Sequence, residues 1–560
     1  MPLMPASSLA VIAHSVDEPF YYLSNFQQVL HWIEQRYADL LEGSEQAFIE
    51  QFSCLPRASQ ALLVRMVMRK GELFRPSKLV YAEIGPPLQA LQPLLEKGWV
   101  TDDSVLSLEQ LFQVLRKDEI ANGFAVQLAR PRAAKAELYA QLQALEPSPR
   151  PLRDWLPGFT EPIITLQLQA LCDRLRLLFF GNLYQDWSEF VLADLGLLRY
   201  EQVAFSDDSR ALRKRSDIDM ALALHRCAEL LEQGTPVHQV LAQIQTVSSD
   251  NPWLLRRRSR VLFQLGQHCE RLGDWDLALQ VYPHSQHPQA RIRRIRVLER
   301  SEQWPQAHAL ALEVAGQPAG PLEVQALARM LPRLQRKLGG PPQSRRSKPA
   351  IGLIELQLPL EQAVLGVEQA VQLHLQAQGG QVYYVENTLF NSLFGLLCWE
   401  AVFAPLPGAF FHPFQSAPQD LHDPEFQVRR ASLFADCLAQ LDDGRYRQTI
   451  RSHYASKQGL QSPFVYWQVL SDTLLEQALA CLPAQHLKQC FIRLLDDIQT
   501  NRAGMPDLIQ FWPEQQGYRM IEVKGPGDRL QDNQLRWIDF CAEHGLPVEV
   551  CQVRWGLESP

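Results

Sequence analysis

Apolar residues recur at helical spacing over most of the first 340 positions and turn to strand-like runs only towards the C-terminal end. Tyr21–Leu41 places them at i, i+3 and i+4, which predicts an amphipathic helix. Ser59–Arg75 predicts a second, carrying Arg65, Arg69, Lys70 and Arg75, a basic face that either is solvated or meets a polyanion. Ala82–Leu95 predicts a third after a Pro-Pro start, closed by Gly98. Ser107–Ile120 predicts two short helices around the basic pair Arg116-Lys117. The proline-rich Pro147–Pro157 reads as a connector, and the apolar run within Leu166–Tyr200 as buried core.

From residue 201 to about 342 the pattern repeats itself. Glu270-Arg271, Trp275 and Ala278 recur as Glu299-Arg300, Trp304 and Ala307, a period of 29 residues, with Leu265-Gly266 and Tyr282 at tetratricopeptide-like positions. A period of this length predicts helix pairs stacked into a short solenoid. Gly339–Pro349 (GGPPQSRRSKP) is the clearest linker.

The length of 560 residues predicts three or four domains, and 46% hydrophobic residues are ample for their cores. No apolar run of about 18 residues occurs, so no membrane span is expected. Met1–Pro19 lacks a basic start and a long apolar core, so no secretory signal is expected. The ten cysteines form no CxxC pair, which predicts reduced, mostly buried thiols of a cytoplasmic protein and no zinc site. The net charge of −8 argues against nucleic acid as a partner until its distribution is read. Arg210–Lys348 holds 22 Lys and Arg against 12 Asp and Glu, a balance of +10 that leaves −18 for the remainder. That asymmetry suggests one segment facing a polyanion.

Candidate chemistry is concentrated in Gly504–Gln534 (GMPDLIQFWPEQQGYRMIEVKGPGDRLQDNQ). Two β-prone runs, Leu508–Trp512 and Tyr518–Lys524, flank a Pro/Gly turn and predict a hairpin. Folding about Gln515 sets Asp507 opposite Glu522 or Val523. Strand alternation puts Glu522 and Lys524 on one face, so Asp507, Glu522 and Lys524 gather at one spot. Two carboxylates there repel unless a cation lies between them, and hard oxygen ligands suit Mg²⁺ or Mn²⁺. This is the PD…ExK pattern of metal-dependent nucleases. A helix capped by Asp528 or Asp532, with Leu530, Gln534 and Trp537 at helical spacing, and a strand at Pro547–Val553 complete a β-β-α-β order. Upstream, Val385–Glu400 reads as a helix with Glu386, Phe390, Leu393 and Leu397 on one stripe. An acid aligned with a core-facing stripe is costly without a cation, unless it serves the helix N-terminus. Ala404–Ala480 reads as an insertion whose histidines have no metal spacing.

GMPDL, IEVKGPGDRL, Gln534 and Trp537 resemble the virus-type replication-repair nuclease (VRR-NUC) domain. With the helical N-terminal part, including YYL near Tyr21 and YAEI at Tyr81, the chain resembles a bacterial form of the Fanconi-associated nuclease family. The resemblance implies a SAP-like module around Ser107–Ile120 and a glutamate ligand at Glu386. With it, Glu386, Asp507, Glu522 and the Val523 carbonyl hold Mg²⁺ or Mn²⁺, Lys524 positions water, and Gln534 holds the lysine or the phosphate. Arg256, Arg257, Arg258 and Arg260, together with Arg502, are the candidate DNA contacts. Family members with a 5′-phosphate pocket build it on this helical module; Gln264 stands where a second basic residue is expected.

The expected architecture is multidomain and mostly α. It comprises a helical DNA-binding domain (1–98), a SAP-like region (99–200), a TPR-like α-solenoid (201–342) and an α/β PD-(D/E)xK nuclease domain (343–560). The expected function is a structure-selective DNA nuclease that cuts branched or 5′-flapped DNA, with 5′-to-3′ exonuclease character, in interstrand-crosslink repair at the nucleoid. A four-way junction resolvase is the enzymatic alternative, and a non-catalytic repeat scaffold the alternative of another class.

Overall fold

The computed structural model describes residues 19–145, 148–185, 187, 198–341 and 352–556. Most of the Gly339–Pro349 linker, Pro147 of the connector and much of the apolar run after Gln185 lie outside the described residues. The chain divides into two compact units, Met1–Leu198 with Leu212–Leu222, and Arg199–Ala211 with Ala223–Pro560.

The first unit opens on helices Tyr21–Tyr37, Gly43–Ser53, Arg57–Val67 and Pro87–Glu96, beside a three-stranded antiparallel sheet in which Ile164–Leu166 lies between Leu73–Phe74 and Val100–Thr101. The expected basic face is internally engaged. The Arg65 guanidinium lies 3.8 Å from the Tyr22 ring centroid and 4.8 Å from that of Tyr81, and donates to Glu83 at 2.8 Å. Tyr22 also donates to Glu83, at 3.1 Å. Arg75 pairs with Glu119 and Glu161. Ser107 and Gln110 form a capping box at the start of Leu108–Val114, and Lys117–Gly123 follows as the second short helix. The supposed proline connector is partly structural: Arg150–Pro151 pairs with Val105–Leu106, and the buried Trp155 donates its indole N–H to the Leu106 carbonyl.

The second unit carries the repeat, after the helix Val237–Thr246. Pro252–Leu272 pairs with Trp275–Val281, and Ala290–Arg300 with Trp304–Gly316. The period is visible in the backbone, because Gly273 (φ 74°) and Glu302 (φ 60°) take the same left-handed turn 29 residues apart. Ala278 and Ala307 are fully buried at equivalent positions. A Cβ on Gly266 would meet the Tyr282 ring at 2.6 Å, which accounts for the small residue there. The segment's arginines are mostly tied down, Arg291 to Glu323, Arg293 to Glu270 and Arg333 to Glu299.

The C-terminal sheet has five strands: β1 (Gly352–Pro359), β2 (Gln381–Tyr384), β3 (Leu508–Trp512), β4 (Gly517–Lys524) and β5 (Val548–Gly556), in the order β1-β5-β4-β3-β2. β5 runs parallel to both neighbours; β4, β3 and β2 are mutually antiparallel. Helix α1 (Val367–Ala377) covers one face through Ala370, Val371 and Leu375, which pack on Ile521 and Val523. The other face carries Ile509, Phe511 and Met520 under the fully buried helix α2 (Leu389–Leu397), the helices of the expected insertion and α3 (Asp532–Glu543). That insertion therefore shares the core of the sheet.

Candidate active site

The hairpin forms as its pattern predicts, with Pro513–Gln515 making the turn and Gln516 (φ 50°) closing it. Leu508 pairs with Ile521 and Phe511 with Tyr518, so the register extended by one residue sets Asp507 opposite Glu522. Asp507 Oδ2 accepts a 2.8 Å hydrogen bond from the Val523 amide, which fixes its carboxylate at the strand end. Glu522 is fully buried and Asp507 is 6% exposed. The Lys524 ammonium stands 2.7 Å from Glu522 Oε1 as an ion pair, and Glu522 Oε2 has no hydrogen-bond partner.

Glu386 arrives from β2, in the turn that precedes α2. The helix predicted from Val385 starts at Leu389, because Asn387 adopts a left-handed φ of 55° and the chain must turn before it can coil. The Val385 amide donates to the Asp507 carbonyl at 2.8 Å, bringing the two segments together. Tyr384 Oη donates to Glu386 Oε2 at 2.5 Å and Asn387 Nδ2 to Oε1 at 3.1 Å.

Burial dominates the electrostatics. It lifts the Asp507 carboxyl from 3.8 to about 6; the Val523 amide and Lys524 oppose this, while Glu386 and Glu368 add repulsion. Glu522 is lifted from 4.5 to about 7 by burial first and the Asp507 charge second, against Lys524. Burial, with the Glu386 bond and charge, also raises the Tyr384 hydroxyl. Among the described residues no three carboxylate, imidazole or thiol side chains are drawn tightly enough together to hold an ion as they stand. The donor set nevertheless fits a hard divalent cation. A fully buried carboxylate, beside a second buried carboxylate and within electrostatic reach of a third, has one lysine against three anions.

The other expected site residues divide. Gln534 Oε1 accepts from the Gln531 amide at 2.9 Å in a capping box, so Gln531 caps α3 in place of Asp528 or Asp532. Asp528 instead accepts from the Gly525 amide, and Asp532 pairs with Arg329. Arg502 donates to the Pro463 carbonyl at 2.6 Å and lies over the Phe464 ring, clipping the loop ahead of Pro506-Asp507. Arg256 pairs with Asp423 and Glu425, Arg257 lies over Trp253, and Arg258 donates to the Ile244 carbonyl. Arg260 also meets Asp423, yet its side chain is 60% exposed. Sequence reasoning missed Tyr384, Asn387 and Glu368; YYVEN around Glu386 was the available signal, since polar residues flanking a candidate ligand are candidates to hold it.

Known proteins bear directly on this arrangement. Residues 441–555 match the VRR-NUC domain, 20–101 the FAN1 HTH domain, and 105–155 the Fanconi anemia-associated nuclease SAP domain. A Fanconi-associated nuclease 1 homolog of Pseudomonas aeruginosa is 57% identical over 98% of this chain and 99% of its own length. The Arabidopsis thaliana homolog is 25% identical over 98% of this chain and 68% of its own. Crystal structures of paFAN1 bound to gapped 5′-flap DNA superpose with TM-scores of 0.87 (2-nucleotide flap) and 0.86 (1-nucleotide flap) at 57% identity. They cover 98% and 97% of this chain and the whole of theirs.

Proposed function

Because the chain belongs to the Fanconi-associated nuclease family, and is a divalent-metal-dependent DNA nuclease that hydrolyses phosphodiester bonds, we propose that Asp507, Glu522 and Glu386, with the Val523 carbonyl, hold its cation as Mg²⁺ or Mn²⁺. The observation that carries this reading is the fully buried Glu522 carboxylate beside the buried Asp507, with the Lys524 ammonium 2.7 Å from Oε1 and no hydrogen-bond partner on Oε2. A divalent cation bound there supplies charge neutralisation at the scissile phosphate and acidifies the attacking water.

The chain's own residues do the rest. The Val523 amide holds the Asp507 carboxylate in one orientation. Tyr384 and Asn387 each take one oxygen of Glu386. Lys524 is tethered beside Glu522, where its ammonium donates to the oxygen of the attacking water and orients it. Gln534 is a structural cap in this reading, and the phosphate contact among the repeat arginines is Arg260, which is exposed where Arg256, Arg257 and Arg258 are half-buried.

The proposed substrate is branched or 5′-flapped DNA, cut endonucleolytically at the flap and exonucleolytically from 5′ to 3′, in repair of interstrand crosslinks at the nucleoid. Likeness to a protein crystallised on 5′-flap DNA supports this. The test is a panel of flap, fork, nicked and four-way DNA incubated with Mg²⁺, Mn²⁺ or EDTA. Flap cleavage with either cation and none with EDTA is expected, and Asp507→Ala is expected to abolish cutting while DNA binding persists. Preference for the four-way junction would make the chain a resolvase, and equal cutting by the Asp507 variant would end the site assignment.

A further inference from the structure

We propose that Asn387 is a positioning residue that couples the Glu386 and Asp507 sides of the site; this rests on the metal-binding reading above. Asn387 is one of three non-glycine residues among those described with positive φ. Asparagine tolerates that backbone, and glycine does so without strain. Here the side chain is used at both ends. Its Nδ2 donates to Glu386 Oε1 at 3.1 Å, and its Oδ1 accepts from the Met505 amide at 3.0 Å. Met505 lies two residues before Asp507. The Asn387 carbonyl accepts from Asn391 Nδ2 at 2.7 Å, and the same nitrogen donates to the Arg502 carbonyl at 2.9 Å.

A second fixed point follows at Gly504 (φ 93°), where a Cβ would meet the Asn533 backbone at 2.6 Å. The segment leading into Asp507 is thus pinned to α3 at Gly504 and to the Glu386 turn at Met505. Asn387 thus hydrogen-bonds both to one proposed ligand and to the loop carrying another. Its left-handed backbone aims one amide at both. Removing the side chain leaves Glu386 with the Tyr384 hydroxyl alone and frees Met505 to shift, so the two carboxylates lose their common frame.

The backbone and side-chain roles separate by substitution. Asn387→Gly keeps the left-handed turn and deletes both side-chain bonds. Asn387→Asp keeps the Met505 bond and sets a carboxylate against Glu386. The full-length chain is titrated calorimetrically with Mn²⁺ in the absence of DNA, beside Asp507→Ala. Loss of a residue that orients a metal ligand weakens affinity by about 10- to 100-fold, and Asn387→Gly is expected to fall in that range with an unchanged melting temperature. Its cleavage rate should recover at high Mn²⁺, with KM for flap DNA unaltered. Asn387→Asp is expected to bind at least as weakly. If Asn387→Gly melts early, Asn387→Asp decides by the same titration. Wild-type Mn²⁺ affinity in the deciding variant, while Asp507→Ala binds none, overturns the clamp and leaves the metal reading intact. Equal binding by wild type and Asp507→Ala overturns both.

Discussion

Replacing Glu522 by glutamine removes the charge from a fully buried carboxylate while keeping its shape. Burial and the neighbouring Asp507 lift this carboxyl from 4.5 to about 7. Between those values the folded protein binds more protons here than the unfolded chain does. Metal-free stability therefore falls as pH rises through that window and stays reduced above it. A displacement of this size corresponds to about 3 kcal/mol, at about 1.4 kcal/mol per pH unit. Glutamine returns part of that gain, since Lys524 loses its anionic partner and a buried N–H lacks an acceptor, at about 1 kcal/mol each. The expected net effect at pH 8 without metal is a stabilisation of about 1–2 kcal/mol, or about 2–6 °C in Tm. Scanning calorimetry should follow the transition of the catalytic unit by itself, because a multidomain chain does not melt in one step. At pH 4 the difference should shrink, since the wild-type carboxyl is then protonated in the fold. Excess Mn²⁺ should reverse the order, stabilising the wild type and leaving the variant unmoved. A variant that melts below wild type at pH 8 without metal, or that gains as much from Mn²⁺, would refute the reasoning.

Proton competition at Asp507 (about 6) and Glu522 (about 7) predicts that Mn²⁺ affinity measured by calorimetry weakens from pH 8 to pH 6, and that slow cleavage at low pH is rescued by more metal; an affinity independent of pH would contradict this. Arg260→Glu should weaken DNA binding and reduce the slope of log affinity against log salt by about 1. Arg256→Glu should instead destabilise the catalytic unit by about 1–3 kcal/mol, because it takes one of two arginine partners from the half-buried Asp423 and sets a like charge beside it, with the salt slope unchanged; the opposite pattern would move the DNA path onto Arg256. Gly266→Ala drives a methyl into the Tyr282 ring and should cost about 1–3 kcal/mol, read as an early-melting repeat; wild-type melting would show that the helix pair adjusts freely.

Local periodicity made the catalytic hairpin legible. Two alternating runs around a Pro/Gly turn leave little choice of register, and Asp507 faces Glu522 as one of the two expected alignments requires. The 29-residue repeat was equally legible, because its turns, caps and small residues recur in sequence. What sequence hid was long-range pairing. The ion-pair partners of Arg256, Asp423 and Glu425, lie more than 160 residues away, beyond any local pattern. The capping box of Gln534 with Gln531 was also hidden, because a capping amide and one that holds a phosphate present the same residue type. The start of α2 was misplaced because apolar spacing continues unbroken through Asn387, while one left-handed dihedral ends the helix there.

The order of the catalytic sheet carries a consequence for incomplete chains. Strand β5 lies between β1 and β4, and among the described residues β1 has no other neighbour in the sheet. A translation product stopping short of Val548 would already contain every acid of the site and still lack the piece that joins the sheet's two halves. Such a fragment would leave β1 without its partner and the β4 edge, which carries Glu522 and Lys524, without the strand that covers it.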